Sequence, residues 1–445
     1  MSSMSTSSLN VANPLISRTL GVGIEQVQWL STLFLLVICS LMLLLGRVGD
    51  RVGGHRIYLA GLVVFIVGSL LCGLSTSFIL LLASRALQAV GGAMMMATGM
   101  GLLMVSFSLE QRGMAMGINV LMVGVGNMCG PSLGGLLLTH FSWSMLFFIN
   151  VPFGILSFLL GLRYLRLPNP VATAKERLDI TGALLLALCV TALILCLSGG
   201  FAGSQWFGLL LIVVVPLFIF AEKRHASPLW DFKLMANKRF SLGNLVTFLS
   251  YSANMLVSFL LPFFMETAWG FSVGIMGLLL MIAPICMAVS APLAGALSDR
   301  IGALKLMPLS LVLFIGGLVL IAFWGEEPAY PLIICSLVLI GLGMGILNTP
   351  NNSEIMTAAG KRSAGYAGGF VATNRNLAFC IGTAASAGLF SLLVRQFELS
   401  STQSAAYVLA LHGMAFIAIA LALTSLGVCL YLRREGHKEG AQDET

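Results

Sequence analysis

The residue in this chain best placed to do chemistry is an arginine inside an apolar run. Arg85 lies in Ser84-Arg-Ala-Leu-Gln-Ala-Val-Gly-Gly-Ala93. A guanidinium stays charged in proteins. Carrying it to membrane depth is costly unless it faces a bundle interior or a hydrated cavity. Gln88, three residues on, shares its helical face. Gly91 and Gly92 let another helix approach. Arg85 therefore either lines a hydrated path or reaches an interface with its long stem.

A second charged pattern occurs twice. Residues 46–56 read Gly-Arg-Val-Gly-Asp-Arg-Val-Gly-Gly-His-Arg, and residues 295–305 read Gly-Ala-Leu-Ser-Asp-Arg-Ile-Gly-Ala-Leu-Lys. Gly46, Gly49, Asp50, Arg51, Gly53 and Arg56 make the first set, with Asp299 and Arg300 the charged core of the second. Glycines permit a tight turn, and Asp50 can sit against the positive end of a neighbouring helix. The arginines can pair with acidic groups or helix C-termini. Such a loop either latches a cytoplasmic gate or only fixes orientation. Its recurrence in both halves favours the latch, because inverted or repeated bundles meet at one face.

A third pattern is Gly124-Val-Gly-Asn-Met-Cys-Gly-Pro-Ser-Leu-Gly-Gly135. Gly126, Gly130 and Gly134 recur every fourth residue, a flat stripe for close helix contact, with Gly135 beside it. Pro131 removes one backbone donor and kinks the helix. The stripe either seals a moving interface or packs passively. Titratable groups are sparse in the apolar runs. Glu266 and Glu354 lie near run ends, where they are either interfacial or the charge-changing groups of a coupled cycle. The cysteines fall in apolar runs without metal-ligand spacing and read as small packing residues.

The elements that hold these residues must be membrane helices. Of 445 residues, 58% are hydrophobic and 9% charged, with mean hydropathy +0.98; soluble domains carry about 25% charged residues. Without water at that depth the backbone satisfies itself in helices. Runs such as Leu209–Pro216 do not alternate, which argues against a barrel. Spans are expected at roughly 27–45, 57–75, 77–105, 114–138, 143–165, 180–199, 206–222, 240–265, 273–297, 305–324, 329–350, 364–394 and 404–432, each near the length of a bilayer crossing. Met4–Ile16 reads as the outer part of a first helix, too short to span. It has no basic n-region and is not a signal peptide.

The net charge of +7 does not point to nucleic acid, because the cations crowd loops of one parity. The opposite parity holds only Arg18 and Arg395, while Arg85 and Arg375 fall inside spans. By the positive-inside rule the crowded parity, with the C-terminus, is cytoplasmic. The expected organisation is an N-terminal helix bundle at 1–165, a linker with two inserted helices at 166–239, a C-terminal bundle at 240–432, and a polar tail at 433–445 expected to be disordered. The fold class is all-α: two pseudo-symmetric six-helix bundles with two extra helices between them. A cavity at midplane is expected between residues 4–165 and 240–432.

Taken together, the three patterns resemble the major facilitator superfamily, and in particular its fourteen-helix drug:proton antiporter branch. Asn150-Val-Pro-Phe-Gly, Leu178-Asp-Ile-Thr-Gly and Thr349-Pro-Asn-Asn are also similar to that branch. The resemblance implies that Arg85 helps relay protons and that the kinked helix marks the export direction. It also aligns Met4–Pro14 with the family's first helix, approximately Leu-Asp-x-Thr-Ile-Val-Asn-Val-Ala-Leu-Pro. Asn10, Val11, Ala12 and Pro14 match, but the carboxylate position is Ser5.

The resulting expectation is a proton-coupled exporter of small amphipathic compounds in the bacterial inner membrane, monomeric, with a small-molecule substrate, protons and the lipid bilayer as partners. Its proton path would involve Arg85, Gln88, Asn10 and Glu266. No nucleic acid, metal or cofactor is expected. No residue pattern suggests covalent chemistry, so an enzyme is not expected, and no Gly-Lys-Ser/Thr phosphate loop is present, so direct ATP drive is not expected. Two other readings stay open: a specific metabolite transporter or facilitator without proton coupling, and a non-transporting paralogue.

Overall fold

The computed structural model describes residues 2–106, 122, 126, 130, 133–165, 180–197, 204–224, 232–398 and 403–443. The described residues form helices and connections. The chain divides into two compact units, Met1–Trp230 and Asp231–Thr445.

The first unit holds α1 (Ser2–Leu20), α2 (Ile24–Val52), α3 (Gly54–Gly73), α4 (Phe78–Ser106), α5 (133–140), α6 (Met145–Phe148), α7 (Asn150–Tyr164), α8 (Ile180–Leu197) and α9 (Ser204–Arg224). Lipid tails give no hydrophobic drive between helices, so close packing must hold them, and small residues supply it. Gly68 of α3 lies directly on the backbone of Gln88 in α4: a Cβ there would stand 2.6 Å from Gln88 N and Cα. Gly61 and Gly91 extend the same seam, where a Cβ on Gly91 would stand 2.7 Å from the Gly61 carbonyl. Gly134 lies on α1, with its would-be Cβ 3.2 Å from the Cβ and carbonyl of Ser8. Leu156, Leu159 and Leu160 of α7 and Ile212 and Val213 of α9 stay exposed, as lipid-facing residues do.

The second unit holds α10 (Phe232–Met235), α11 (Lys238–Ser258), α12 (Leu261–Thr267), α13 (Val273–Leu280), α14 (Ile282–Ile301), α15 (Ala303–Ile321), α16 (Tyr330–Glu398) and α17 (Gln403–Asp443). α16 is two arms broken at Gly360, whose φ is 72°. Polar groups lace α11 to its neighbours. Asn351 Nδ2 donates to the Gly243 carbonyl (3.2 Å) and to Thr247 Oγ1 (2.7 Å), and Asn374 Nδ2 donates to the Asn244 carbonyl (2.8 Å). Ser250 and Ser425 hydroxyls pair at 2.9 Å between α11 and α17. At one end, Trp269 stacks against Phe264 and Trp324 and donates to the Gly325 carbonyl at 3.1 Å.

The glycine seam of the first unit recurs here. Gly317 of α15 faces α16 as Gly68 faces α4, with a would-be Cβ 2.8 Å from Ile340 N. Gly68 and Gly317 are separated by the same sequence offset as the charged motifs. The repeat is thus structural as well as sequential.

Eleven described helices are long and apolar enough to cross a membrane. Each coincides with an expected span. The expected span at 180–199 is a shorter apolar helix, Thr181–Leu197, and most of 114–138 lies outside the described residues. Three expected spans are interrupted: at Ile149, at Phe259–Leu260 and at Met281. A proline lies in the first turn of the helix after each break: Pro152, Pro262 and Pro284. Proline lacks the N–H for the carbonyl one turn earlier and its ring crowds that carbonyl.

Other expectations need correction. Residues 46–56 are not a loop. α2 continues to Val52, Gly53 alone turns the chain, and α3 begins at Gly54. Gly302 does the same between α14 and α15. α1 spans Ser2–Leu20, longer than the expected Met4–Ile16. Composition understates it because Ser5, Ser8 and Asn13 are buried against the bundle rather than solvated. Residues 433–443, expected to be disordered, continue α17, and Glu435 there pairs with Lys238 at 3.2 Å.

Candidate functional site

Arg85 is the centre of a buried polar cluster in the first unit. It sits on α4 with no exposed surface. Three elements fix it. Nε donates to the Leu30 carbonyl of α2 (3.2 Å), and Nη1 donates to Gln88 Oε1 (2.6 Å) and to Ser5 Oγ of α1 (3.3 Å). The guanidinium also lies over the Phe34 ring, 4.3 Å from its centroid, with Phe147 at 5.7 Å. Cation–π contacts of this kind strengthen when desolvated. Gln88 passes the network on, its Nε2 donating to Ser69 Oγ (2.7 Å), which donates to the Phe65 carbonyl (2.7 Å). The chain of bonds runs α1–α4–α3, and every member is buried.

The site is incomplete in one respect. Nη2 of Arg85 is buried and has no hydrogen-bond partner among the described residues. None of the acceptors Arg85 does have is a carboxylate. Nearby helices carry further orphans: Asn13 on α1 and Gln28 and the Ser31 hydroxyl on α2 are buried without partners among the described residues. α1 packs on α2, so these groups line one helix pair. Buried polar groups left unpaired are costly and mark places that a ligand or ordered water completes.

The expected site residues fall as follows. Arg85 and Gln88 are in direct contact. Asn10 is half-buried on α1, and Glu266 is half-buried on α12 in the second unit. Glu354 is half-buried on the first arm of α16, and Arg375 is half-buried on the second. Gly46 and Gly49 are within α2, and a Cβ on Gly49 would meet Thr98 Cγ2 of α4 at 2.7 Å. Gly53 has φ 109° and ψ 115°, Gly302 φ 89° and ψ 140°. Both conformations are essentially reserved for glycine. Arg56 and Arg300 are exposed. The side chains of Asp50, Arg51 and Asp299 lie outside the described residues. So does Pro131, whereas Gly126 and Gly130 are helical and Gly134 and Gly135 are buried in α5.

Sequence reasoning missed several members. Ser69, Phe34, Phe147 and the Leu30 carbonyl carry no motif of their own. Outside this cluster, Glu222 is fully buried on α9. In the second unit, Asn351 lies in the Thr349-Pro-Asn-Asn run noted in the sequence, but its partner Thr247 was legible only as a polar residue in a separate apolar run.

The Major Facilitator Superfamily model matches residues 1–239 and 243–445. The chain belongs to this superfamily. Among its relatives, the riboflavin transporter RibZ of Clostridioides difficile is 36% identical over 440 residues, covering 98% of this chain and 96% of that protein. The tetracenomycin C resistance and export protein of Streptomyces glaucescens is 30% identical, covering 84% of this chain and 70% of that protein. In fold, a POT family transporter in complex with a thioalcohol-conjugated peptide aligns with TM-score 0.70 at 16% identity, covering 97% of this chain and 94% of that one. The superfamily fold is thus all-α, as expected, and the chain is an integral membrane protein and a secondary transporter of the superfamily type. A small-molecule substrate and a lipid bilayer are its partners. Its relatives are transporters, not enzymes.

Proposed function

We propose that this chain is a proton-coupled exporter of small, partly apolar organic compounds, of the fourteen-helix branch, acting as a monomer in a bacterial inner membrane with its C-terminus in the cytoplasm. The observation that carries the reading is the fully buried Arg85–Gln88–Ser69 network. A charge of this kind is retained at membrane depth where it serves a substrate or ion path. Relatives named for multidrug resistance and for tetracenomycin export support efflux. The paired glycine turns at Gly53 and Gly302 support two bundles that rock on equivalent hinges. In this reading the charged residues around those turns latch the cytoplasmic side, and the Gly126–Gly134 stripe seals against α1.

A second reading has its own observation. Arg85 meets the Ser5 hydroxyl rather than a carboxylate, and a hydroxyl does not titrate near neutral pH. A transporter of a specific metabolite without proton coupling, in the manner suggested by the name of the riboflavin transporter relative, is consistent with that. Proteoliposomes containing a pH dye separate the two. Proton movement on adding ethidium or riboflavin, abolished by Arg85→Ala, supports coupling. Transport of either compound with no proton flux selects the second reading, and movement of neither, in vesicles shown to hold folded protein, refutes export of this class.

A further inference from the structure

Arg85 presents a positive charge that no carboxylate among the described residues balances. Nη2 is buried and has no partner among the described residues, and the contacts of Nε and Nη1 are a carbonyl, an amide and a hydroxyl. Phe34 and Phe147 exclude water from the flanks of the guanidinium. A neutral acceptor gives the guanidinium a hydrogen bond but no opposite charge, and a buried charge without one is costly. The position opposite Arg85 is a serine, whose hydroxyl donates its own proton as readily as it accepts one. Ser5 Oγ accepts from Nη1 and keeps a proton to donate, so Ser5 and Arg85 together offer two donors, that hydroxyl and the Nη2 that is unpartnered among the described residues. Asn13, Gln28 and Ser31, buried on α1 and α2 without partners among the described residues, are further neutral hydrogen-bonding groups on those two helices.

We propose that Arg85 and Ser5 form a binding site for a singly charged anion, which serves as the counter-ion that the described residues around Arg85 do not provide. The anion docks on Nη2 of Arg85 and accepts a hydrogen bond from Ser5 Oγ. Its two possible sources share this chemistry: a carboxylate on the transported compound, or a free halide. A multiply charged anion is disfavoured, because a single guanidinium leaves its excess charge desolvated. The cargo source deepens the export reading by naming its substrate class, organic monoanions; the halide source stands whether or not the chain exports anything.

The test is equilibrium binding to the purified full-length protein, without a membrane gradient, so that failure to transport does not register as failure to bind. The probes are radiolabelled benzoate and chloride, each with sulfate at constant ionic strength as the competitor that should not displace it. Wild type should bind at least one probe saturably. Ser5→Asp supplies an internal carboxylate to Arg85 and should weaken binding on the order of 30-fold or more, the usual consequence of altering one member of a buried charge pair. Arg85→Gln should abolish it, and Ser5→Asp, which leaves Arg85 and its packing in place, covers the case in which Arg85→Gln does not fold. Benzoate binding alone assigns the site to cargo, and chloride binding alone assigns it to the free ion. Absence of saturable binding of both probes to folded wild type overturns the proposal, as does binding unchanged by Ser5→Asp.

Discussion

Gly68→Ala tests whether the α3–α4 seam is what positions the arginine network. The added Cβ would lie 2.6 Å from Gln88 N and Cα, and ordinary contact begins at 3.4 Å. The helices must therefore part by roughly 0.8 Å at this level, the difference between those two distances, and no rotamer relieves it because the atoms met are backbone. Overpacking of this kind costs about 1–3 kcal/mol. The functional effect follows from the same displacement. Gln88 holds Arg85 at 2.6 Å and Ser69 at 2.7 Å, and a shift of that size carries at least one of these bonds past the range in which hydrogen bonds are effective. The expected result is a lowered thermal unfolding midpoint in detergent together with a loss of transport in proteoliposomes. Gly161→Ala is the matched control. Its Cβ would also meet an atom at 2.7 Å, but that atom is Leu59 Cδ2, the free end of a flexible side chain, and alanine improves helix propensity by up to about 1 kcal/mol. It should be near neutral in both assays. If Gly68→Ala matches wild type in both, the seam does not position the network and the argument from close approach fails.

Gly53→Ala and Gly302→Ala place a side chain at φ 109° and φ 89°; each should cost about 1–3 kcal/mol of backbone strain and slow transport, and equal activity of the double variant and wild type would show that these turns are not hinges. Glu266→Gln should remove the pH dependence of transport while substrate still binds, since Glu266 is a half-buried carboxylate at the end of α12; proton-coupled export surviving in both Glu266→Gln and Glu354→Gln would place the titrating group elsewhere. Single cysteines at Lys175 and Glu327 test orientation: an impermeant thiol reagent added outside cells should label the second and spare the first, and the reverse pattern would invert the topology.

Sequence alone determined that the chain is helical and membrane-embedded, because a composition this apolar leaves the backbone no other way to satisfy its polar groups. It also exposed the internal repeat, since Gly53 and Gly302 recur in matching charged contexts and only glycine tolerates their backbone. Arg85 stood out for the same kind of reason: a charge inside an apolar run is conspicuous whatever surrounds it. The helix breaks at Pro152 and Pro284 were not read, because five other helical prolines, Pro14, Pro216, Pro292, Pro308 and Pro350, interrupt nothing. Which prolines break a helix depends on whether neighbours satisfy the freed carbonyl, and that is tertiary. Most partners of Arg85 were likewise decided by the fold. Gln88 was legible from its spacing of three on the same helix, but Ser5, Leu30 and Ser69 come from three other helices that no local spacing relates to Arg85; the crossing of α3 on α4 at Gly68, and of α1 and α2 beside it, brings them within reach of the network. The missing negative charge was already legible in the alignment of Ser5 with the family's carboxylate position; what only the fold decided is that the buried guanidinium lies directly against that serine.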